Sequence, residues 1–537
     1  LELGFESANC APLNFVVGNS AWFRRALAVV AGVAWALSFQ KLNIAGLAWI
    51  APALILLAAR GGHGFRTGYL AGFIHYLISL SWLLHIPVKF YPILGWIALA
   101  AYLAVYPAVW AWLCGRGVGR TLRMESWSAR TGFALFCAVA WVALEMIVSR
   151  MFSGFPWNLL GSSQQRLFPL IQIASWTGVY GVSFLVVWFS VSLLNAFDGI
   201  LSRPISRHVW LKELSLPIFT IAVIYAFGLH RITSEPKPSR TLRIALVQPS
   251  IPQTMIWNAK DSDARFAELL KLTVAAMTNK PDVLMWPEAA VPKMVREDEM
   301  TARAISQLAA TNRVWLIIGS DDFDFRGTNT IFFNSSFLVS PRGEFVSTYR
   351  KRRLVIFGEY VPLLDWLPFI KYLTPITGGF AAGERPVTFD LRELGAKTSV
   401  LICFEDMFPH YAREHAGDDV DFLVNLTNDG WFGESAAHWQ QAAGAAFRAV
   451  ENGRPLVRCA NNGISCWIDR FGRMSNVFFE NSRDVYQAGF KLVEVPLAAS
   501  AENRGTFYNR RGDWFGWSCV GLAGFVFAVR WSFRQRN

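Results

Sequence analysis

Residues 397–409 read KTSVLICFEDMFP. The run from Ser399 to Ile402 is short, apolar and rich in β-branched residues, and it ends abruptly in Cys403, Phe404 and two acids. A continuous apolar run of this length suits a strand buried on both faces. Runs of the same kind recur at 242–248 (LRIALVQ), 282–288 (DVLMWPE), 314–320 (VWLIIGS), 331–340 (IFFNSSFLVS) and 421–429 (DFLVNLTND). Helical patterns lie between them at 263–277, 299–310 and 436–453. This alternation predicts an α/β domain over 236–510 with reactive groups at strand ends. SEPKPSR (234–240) is the expected linker into it.

The rest of the chain has another character. Of 537 residues, 53% are hydrophobic and only 17% charged, with 23 Trp and 42 Phe. A soluble domain carries about a quarter charged residues. Mean hydropathy is +0.30. Apolar segments near 22–39, 43–59, 67–86, 92–114, 131–149, 170–195 and 214–230 approach the roughly 20 residues needed to cross a bilayer. An eighth lies at 515–531, in a C-terminal part (511–537) that ends in a basic tail. The predicted membrane domain is therefore 22–235, preceded by a segment, 1–21, that matches no pattern. No small-residue cleavage site follows the first apolar run, so that run is expected to be retained.

The net charge of +12 and pI near 9.5 would suit nucleic acid, but the arginines occupy alternate short loops. Arg24, Arg25, Arg60, Arg66, Arg116, Arg120, Arg203 and Arg207 fall on one side of the bilayer, and only Lys41, Lys89, Arg150 and Arg166 lie in the short loops of the other. The asymmetry predicts a cytoplasmic N-terminus and puts 236–510 on the outer face, the periplasm in a bacterium. No nucleic-acid partner is expected. Seven scattered cysteines form no disulfide framework. The spacing of Cys459 and Cys466 matches no usual zinc motif, so neither metal nor cofactor is expected.

Three stretches carry chemistry. Glu288 follows the DVLMW strand beside Trp286 and Pro287. It reads either as a solvated strand-end acid or as a partly desolvated general base. Lys351 lies in YRKRRLVIFGEY (349–360), followed by Glu359. The basic cluster reads as a solvated face or lipid contact, with one cation free to turn inward and stabilise an oxyanion or lower a thiol pKa. Cys403 reads as inert packing or as a nucleophile.

Glu after a WPE strand, Lys before a LVxFGEY run and Cys in an ICFE strand together resemble the nitrilase (carbon–nitrogen hydrolase) superfamily. With the spans and with GFPWNLLG (154–161), VQPSIPQTMIWN (247–258), NLTNDGWFG (425–433) and ENGRPLVRCANNGIS (451–465), nearly the whole chain resembles the apolipoprotein N-acyltransferase family. The resemblance implies a bundle of about eight transmembrane helices carrying a periplasmic α-β-β-α sandwich. It implies Cys403 as nucleophile, Glu288 as proton acceptor and Lys351 as third catalytic member, with Glu359 and Glu405 as supporting acids. It places Trp257 and Trp431 as aromatics near the substrate. The implied partners are a phospholipid acyl donor, typically phosphatidylethanolamine, and diacylglyceryl apolipoproteins, served by a monomer. Three positions depart from the family pattern: Ile356 for Pro, Phe404 for Tyr and Gly430 for Ala.

PLLDWLPFIKYLTPITGGF (362–380) holds too many apolar residues for a wet loop. Trp366 and Phe369 are expected either to dip into lipid beside the site or to pack on the core. Three rival readings remain: a membrane-tethered amidase with the same triad, a papain-like pair of Cys403 with His410 or His438, and a non-enzymatic transporter. The last calls for intramembrane charge, of which Glu145 is the main example in the sequence.

Overall fold

The computed structural model describes residues 20–121, 126–201, 206–234, 238, 240–256, 258–362, 379–497 and 505–535. The apolar half forms helices α1 (Ala21–Leu37), α2 (Ala51–Ala58), α3 (Gly64–Ser79), α4 (Tyr91–Leu103), α5 (Val105–Thr121), α6 (Trp127–Val148), α7 (Val179–Leu201) and α8 (Arg207–Thr233). Among the described residues, four helices are long and apolar enough to cross a membrane: Tyr91–Val118, in which α4 runs on into α5, then α6, α7 and α8. Their outward faces carry Ile93, Leu94, Ile218, Phe219 and Val223, all exposed. An apolar belt of this size is the face a bilayer covers. Inside the bundle, α3 packs tightly on α5, because a Cβ at Gly68 would sit 2.5 Å from the Pro107 carbonyl oxygen. Small residues permit such close backbone approach.

Three expected spans differ in detail. The one expected over 43–59 is a 3₁₀ turn, Ala45–Trp49, followed by the short α2. The segment expected over 67–86 ends as an α-helix at Ser79, and Ser81–His85 forms a 3₁₀ turn. Its apolar residues are there for an interface, described below. The segment expected over 170–195 begins with the short turns Phe168–Ile171 and Ala174–Thr177; after Gly178, at φ +68, the helix starts afresh at Val179.

Among the described residues, the second half contains two six-stranded sheets. The first has the order β12 (Gly489–Leu497), β1, β2, β3, β4, β5, and the second β11 (Met474–Ser475), β10 (Cys466–Ile468), β9, β8, β7, β6 (Thr388–Leu391). The strands that matter below are β1 (Arg240–Gln248), β2 (Val283–Met285), β3 (Trp315–Arg326), β4 (Asn329–Val339), β5 (Phe345–Arg350), β7 (Ala396–Ile402), β8 (Phe422–Thr427) and β9 (Leu456–Ala460). The central strands β1-β2-β3 and β7-β8-β9 are parallel. Ile244, Met285 and Ile317 of the first sheet meet Val400, Val424 and Val457 of the second in one buried core. Helices α9 (Ser262–Met277) and α10 (Glu299–Asn312) cover the first sheet through Leu269 and Ile305. Helix α12 (Ala437–Asn452), which follows the short α11 (Pro409–His415), covers the second through Ala442, Ala445 and Ala449. The result is an α-β-β-α sandwich whose central strands are buried on both faces, as their composition requires.

α12 also holds the two halves together. The Gln440 amide oxygen accepts from the indoles of Trp82 (3.1 Å) and Trp157 (2.7 Å). Its amide nitrogen donates to the carbonyls of Gln40 (2.9 Å) and Ser79 (3.1 Å). Further along, Glu451 accepts from the Val179 backbone at the start of α7 (2.8 Å). The final helix, α13 (Trp514–Gln535), packs on α6, and Arg150 pairs with Asp513 just before it.

Candidate active site

Each reactive group sits just past the C-terminal end of a strand. Glu288 follows β2, Lys351 follows β5 and Cys403 follows β7. In parallel sheets these ends are where ligands gather, because the loops there are free to converge. Cys403 opens a tight 3₁₀ turn, Cys403–Met407, with φ at +55. A non-glycine residue in that region costs about 1–3 kcal/mol and persists only where its surroundings hold it. Here the Cys403 carbonyl accepts from Asn425 (2.8 Å) and Gln441 (3.0 Å). The Glu405 carboxylate closes the turn, accepting from the backbone of Ile402 (2.7 Å), Arg352 (2.8 Å) and Arg353 (2.9 Å) and from the Tyr349 hydroxyl. Glu405 therefore ties the β5 loop to the cysteine turn.

The buried Lys351 ammonium donates to Glu288 (3.0 Å) and Glu359 (2.8 Å). Asn334, on β4, donates to the same two carboxylates at 2.8 and 2.9 Å. The other Glu288 oxygen accepts from the backbone N–H of Asn428, beyond β8 (2.9 Å). Glu288 is thus held from three sides. It approaches β3 closely because residue 319 is glycine: a Cβ there would lie 2.8 Å from the Glu288 Cα. Burial works against the Lys351 charge, but the two glutamates outweigh it and hold its pKa well above the ordinary lysine value.

For the thiol the balance is different. Burial, reinforced by Glu288, pushes Cys403 well above the ordinary cysteine value, and Lys351 only partly offsets this. Lys351 does lower the thiol pKa, as the sequence suggested, but burial and the Glu288 carboxylate outweigh it. The thiol lies within the field of the Glu288 carboxylate.

A layer beneath supports the turn. Asp406 pairs with Arg458, which also reaches Asp429 (3.2 Å). Burial raises the Asp406 carboxyl to about 6 against the pull of Arg458. The fully buried Asp429 is held below the carboxylate range, with Arg458 and His438 overcoming its desolvation. His438 is committed to the Gly433 carbonyl and to Asp429. His410 lies against Phe408 and Tyr411, its pKa lowered to about 4 chiefly by burial. The charged groups that act most strongly on the thiol are Glu288, Lys351, Glu359 and Asp429.

Trp431 lies in the turn Asp429–Phe432, next to the loop that contacts Glu288. Trp257, Trp366 and Phe369 lie outside the described residues. Sequence reasoning missed Asn334, Asn428 and the Arg458 layer. Their sequence signals are polarity inside an apolar strand, as for Asn334 in IFFNSSFLV (331–339), and, for Asn428 and Arg458, their place in the motifs NLTNDGWFG (425–433) and ENGRPLVRCANNGIS (451–465).

Cys403, Glu288 and Lys351, all buried and acting on one another's charge at the ends of strands from two sheets, are the arrangement expected of one class, the carbon–nitrogen hydrolases. The Carbon-nitrogen hydrolase family model matches residues 243–497, and that of the Apolipoprotein N-acyltransferase N-terminal domain matches residues 31–192. The apolipoprotein N-acyltransferase of Geobacter metallireducens is 36% identical over 522 residues, 95% of each chain. That of Rickettsia prowazekii is 32% identical over 411 residues, 76% of this chain and 79% of that one. An amidase of known structure from Nesterenkonia sp. is 17% identical, with TM-score 0.35, over 49% of this chain and 92% of that one. The chain belongs to the apolipoprotein N-acyltransferase family.

Proposed function

We propose that this protein moves a fatty acyl chain from a membrane phospholipid onto the α-amino group of an N-terminal S-diacylglyceryl cysteine, through a thioester on Cys403. Glu288 takes the thiol proton and Cys403 attacks the donor's ester carbonyl. Lys351, with a backbone N–H of the Cys403 turn, stabilises the oxyanion. The proton passes from Glu288 to the departing lysophospholipid oxygen. In the second half the acceptor amine attacks the thioester and Cys403 regains its proton. Dividing the reaction in two replaces one slow ester aminolysis by two easier steps. Phosphatidylethanolamine is the donor we favour, and a monomer suffices because all three groups come from one chain.

The observation that carries this reading is where the cysteine turn sits. Phe404 packs both on the core between the sheets and on the core of the helical bundle, which also includes Met407 and Phe408 together with Trp82, Trp157 and Leu160. A hydrolase for soluble amides has no use for a nucleophile mounted on membrane helices. Water is the competing acceptor, and an apolar mouth disfavours it. The catalytic domain is touched by the loops at Gln40, 79–86 and 150–179 and by the approach to α13, the side on which short loops are poor in Lys and Arg. This supports an inner-membrane protein with residues 236–510 in the periplasm and 22–235 and 511–537 as its membrane parts.

Intact-mass measurement of the full chain in detergent with dioleoyl phosphatidylethanolamine tests it. An added oleoyl group on Cys403, discharged by a diacylglyceryl-cysteine peptide, is expected. Cys403→Ser should not turn over and Glu288→Gln should form no adduct. Release of free fatty acid at the same rate with and without the peptide would favour a hydrolase instead.

A further inference from the structure

The second half-reaction has a proton left over. The acceptor enters as an ammonium, R–NH₃⁺, and leaves as an amide, R–NH–CO–R′. Its nitrogen therefore loses two protons while one N–C bond forms and the S–C bond breaks. The electron pair of the broken bond returns to sulfur, which takes one proton by way of Glu288. The other must reach solvent. Lys351 is already a cation, and Glu359 is engaged by Lys351, Asn334 and the Val355 backbone.

β3 supplies a further group. Asp321 and Asp322 are consecutive on this strand, so their side chains point to opposite faces. Asp322 faces Arg350 (2.9 Å) and Arg296 (3.3 Å), and Asp324, on the same face, also pairs with Arg350 (3.1 Å). Asp321 faces the other way. It stands directly opposite Asn334 in the antiparallel β3–β4 register, and opposed residues share a face. Asn334 is the residue that bonds both Glu288 and Glu359. Among the described residues no ion pair or side-chain hydrogen bond engages the Asp321 carboxyl, and the residue keeps part of its surface exposed. The charged groups acting on it are Glu288 from the β2 loop and Glu359 and Lys351 from the segment after β5.

We infer that Asp321 receives the acceptor ammonium of the second half-reaction, takes its first proton and releases that proton to solvent. This rests on the acyl-transfer reading above. An ionised Asp321 attracts the incoming cation and discriminates against neutral acceptors. Burial, with the two glutamates, raises its pKa to about 7, close to the pH at which an acceptor of this kind works best. The first half-reaction exchanges an ester for a thioester with no net proton change and does not call on Asp321.

The test uses the full chain in detergent, loaded with oleoyl from dioleoyl phosphatidylethanolamine and then mixed with diacylglyceryl-cysteine peptide from pH 6 to 9. Asp321→Asn is expected to accumulate acyl-enzyme and to discharge it at least about tenfold more slowly at the acid end. The gap should close as pH rises past the amine's own pKa of about 8. Hydroxylamine, a far weaker base than the peptide amine and mostly neutral from pH 7 upward, should discharge both proteins equally there, and Asp321→Glu should restore the peptide rate. Three results would overturn the inference: an unchanged pH profile, a slowing that is the same at every pH and for hydroxylamine, or an Asp321→Asn protein that never loads while Asp321→Glu does. If the unaltered protein forms no adduct at all, the acyl-transfer reading fails first.

Discussion

Cys403 combines two costs, a left-handed backbone and a desolvated thiol, and both are sustained by neighbours that do no chemistry themselves. Asn425 and Gln441 hold its carbonyl, and Glu405 pins the turn. With its pKa already raised by burial and Glu288, the sulfur depends on Lys351 for what compensation it has. Lys351→Met should raise the thiol pKa further, because the charge that favoured the thiolate is gone. Alkylation of Cys403 by a neutral reagent at pH 8 should then fall about tenfold for each pK unit gained. A rate that stays the same or rises would show that Lys351 does not act on the thiol. Phe404, a departure from the family pattern, lies with its ring 6.0 Å from the Lys351 ammonium and stacks edge-on with Phe408. Its position bridging the two cores calls for an apolar ring and makes no demand for a hydroxyl.

At the scale of elements, the apolar turn after α3 is better understood as a docking surface than as membrane. Trp82 and Trp157 bury their indoles against α12 and each donates to Gln440. Gln440→Ala would leave two buried N–H groups and two carbonyls without partners, each worth about 1–3 kcal/mol. The joint between the halves should loosen while the sheets do not. Hydrogen–deuterium exchange should quicken in 79–86 and 157–161 and stay unchanged in β8 and β9. Exchange that rises equally through both sheets would mean that Gln440 serves the sandwich and not the joint.

Over the whole molecule, the bundle contains more buried charge than Glu145. Arg130, in the first turn of α6, and Glu213, on α8, are both fully buried and bonded at 2.9 Å, with Asn195 of α7 donating to the same carboxylate (2.6 Å). The sequence hid this pair because its members are 83 residues apart and each sits near a helix end, where a charge reads as a loop residue. Both lie at the end of the bundle away from the catalytic domain, so the pair reads as a structural joint between three helices and not as a transport path. Arg130→Met alone should cost about 3–5 kcal/mol, since it strands a buried carboxylate, and Arg130→Met with Glu213→Met should recover most of that loss. Thermal unfolding in detergent reads both. A double variant no better than the single one would show that the ions have some role besides pairing.

Hydropathy alone located the helical segments, strand composition located the α/β domain, and the motifs around Glu288, Lys351 and Cys403 pointed, by resemblance, to the class of chemistry and the sandwich, because each of these is written in local residue order. Four things had to wait for the fold: the four-way grip on Glu288 and Lys351, the pKa balance at the thiol, the Gln440 joint and the placement of Asp321 on the face of the site. They depend on strand register and on groups brought together from distant parts of the chain, and neither is visible in the order of neighbouring residues. Desolvation in particular belongs to no residue by itself, since it is set by everything that closes over it.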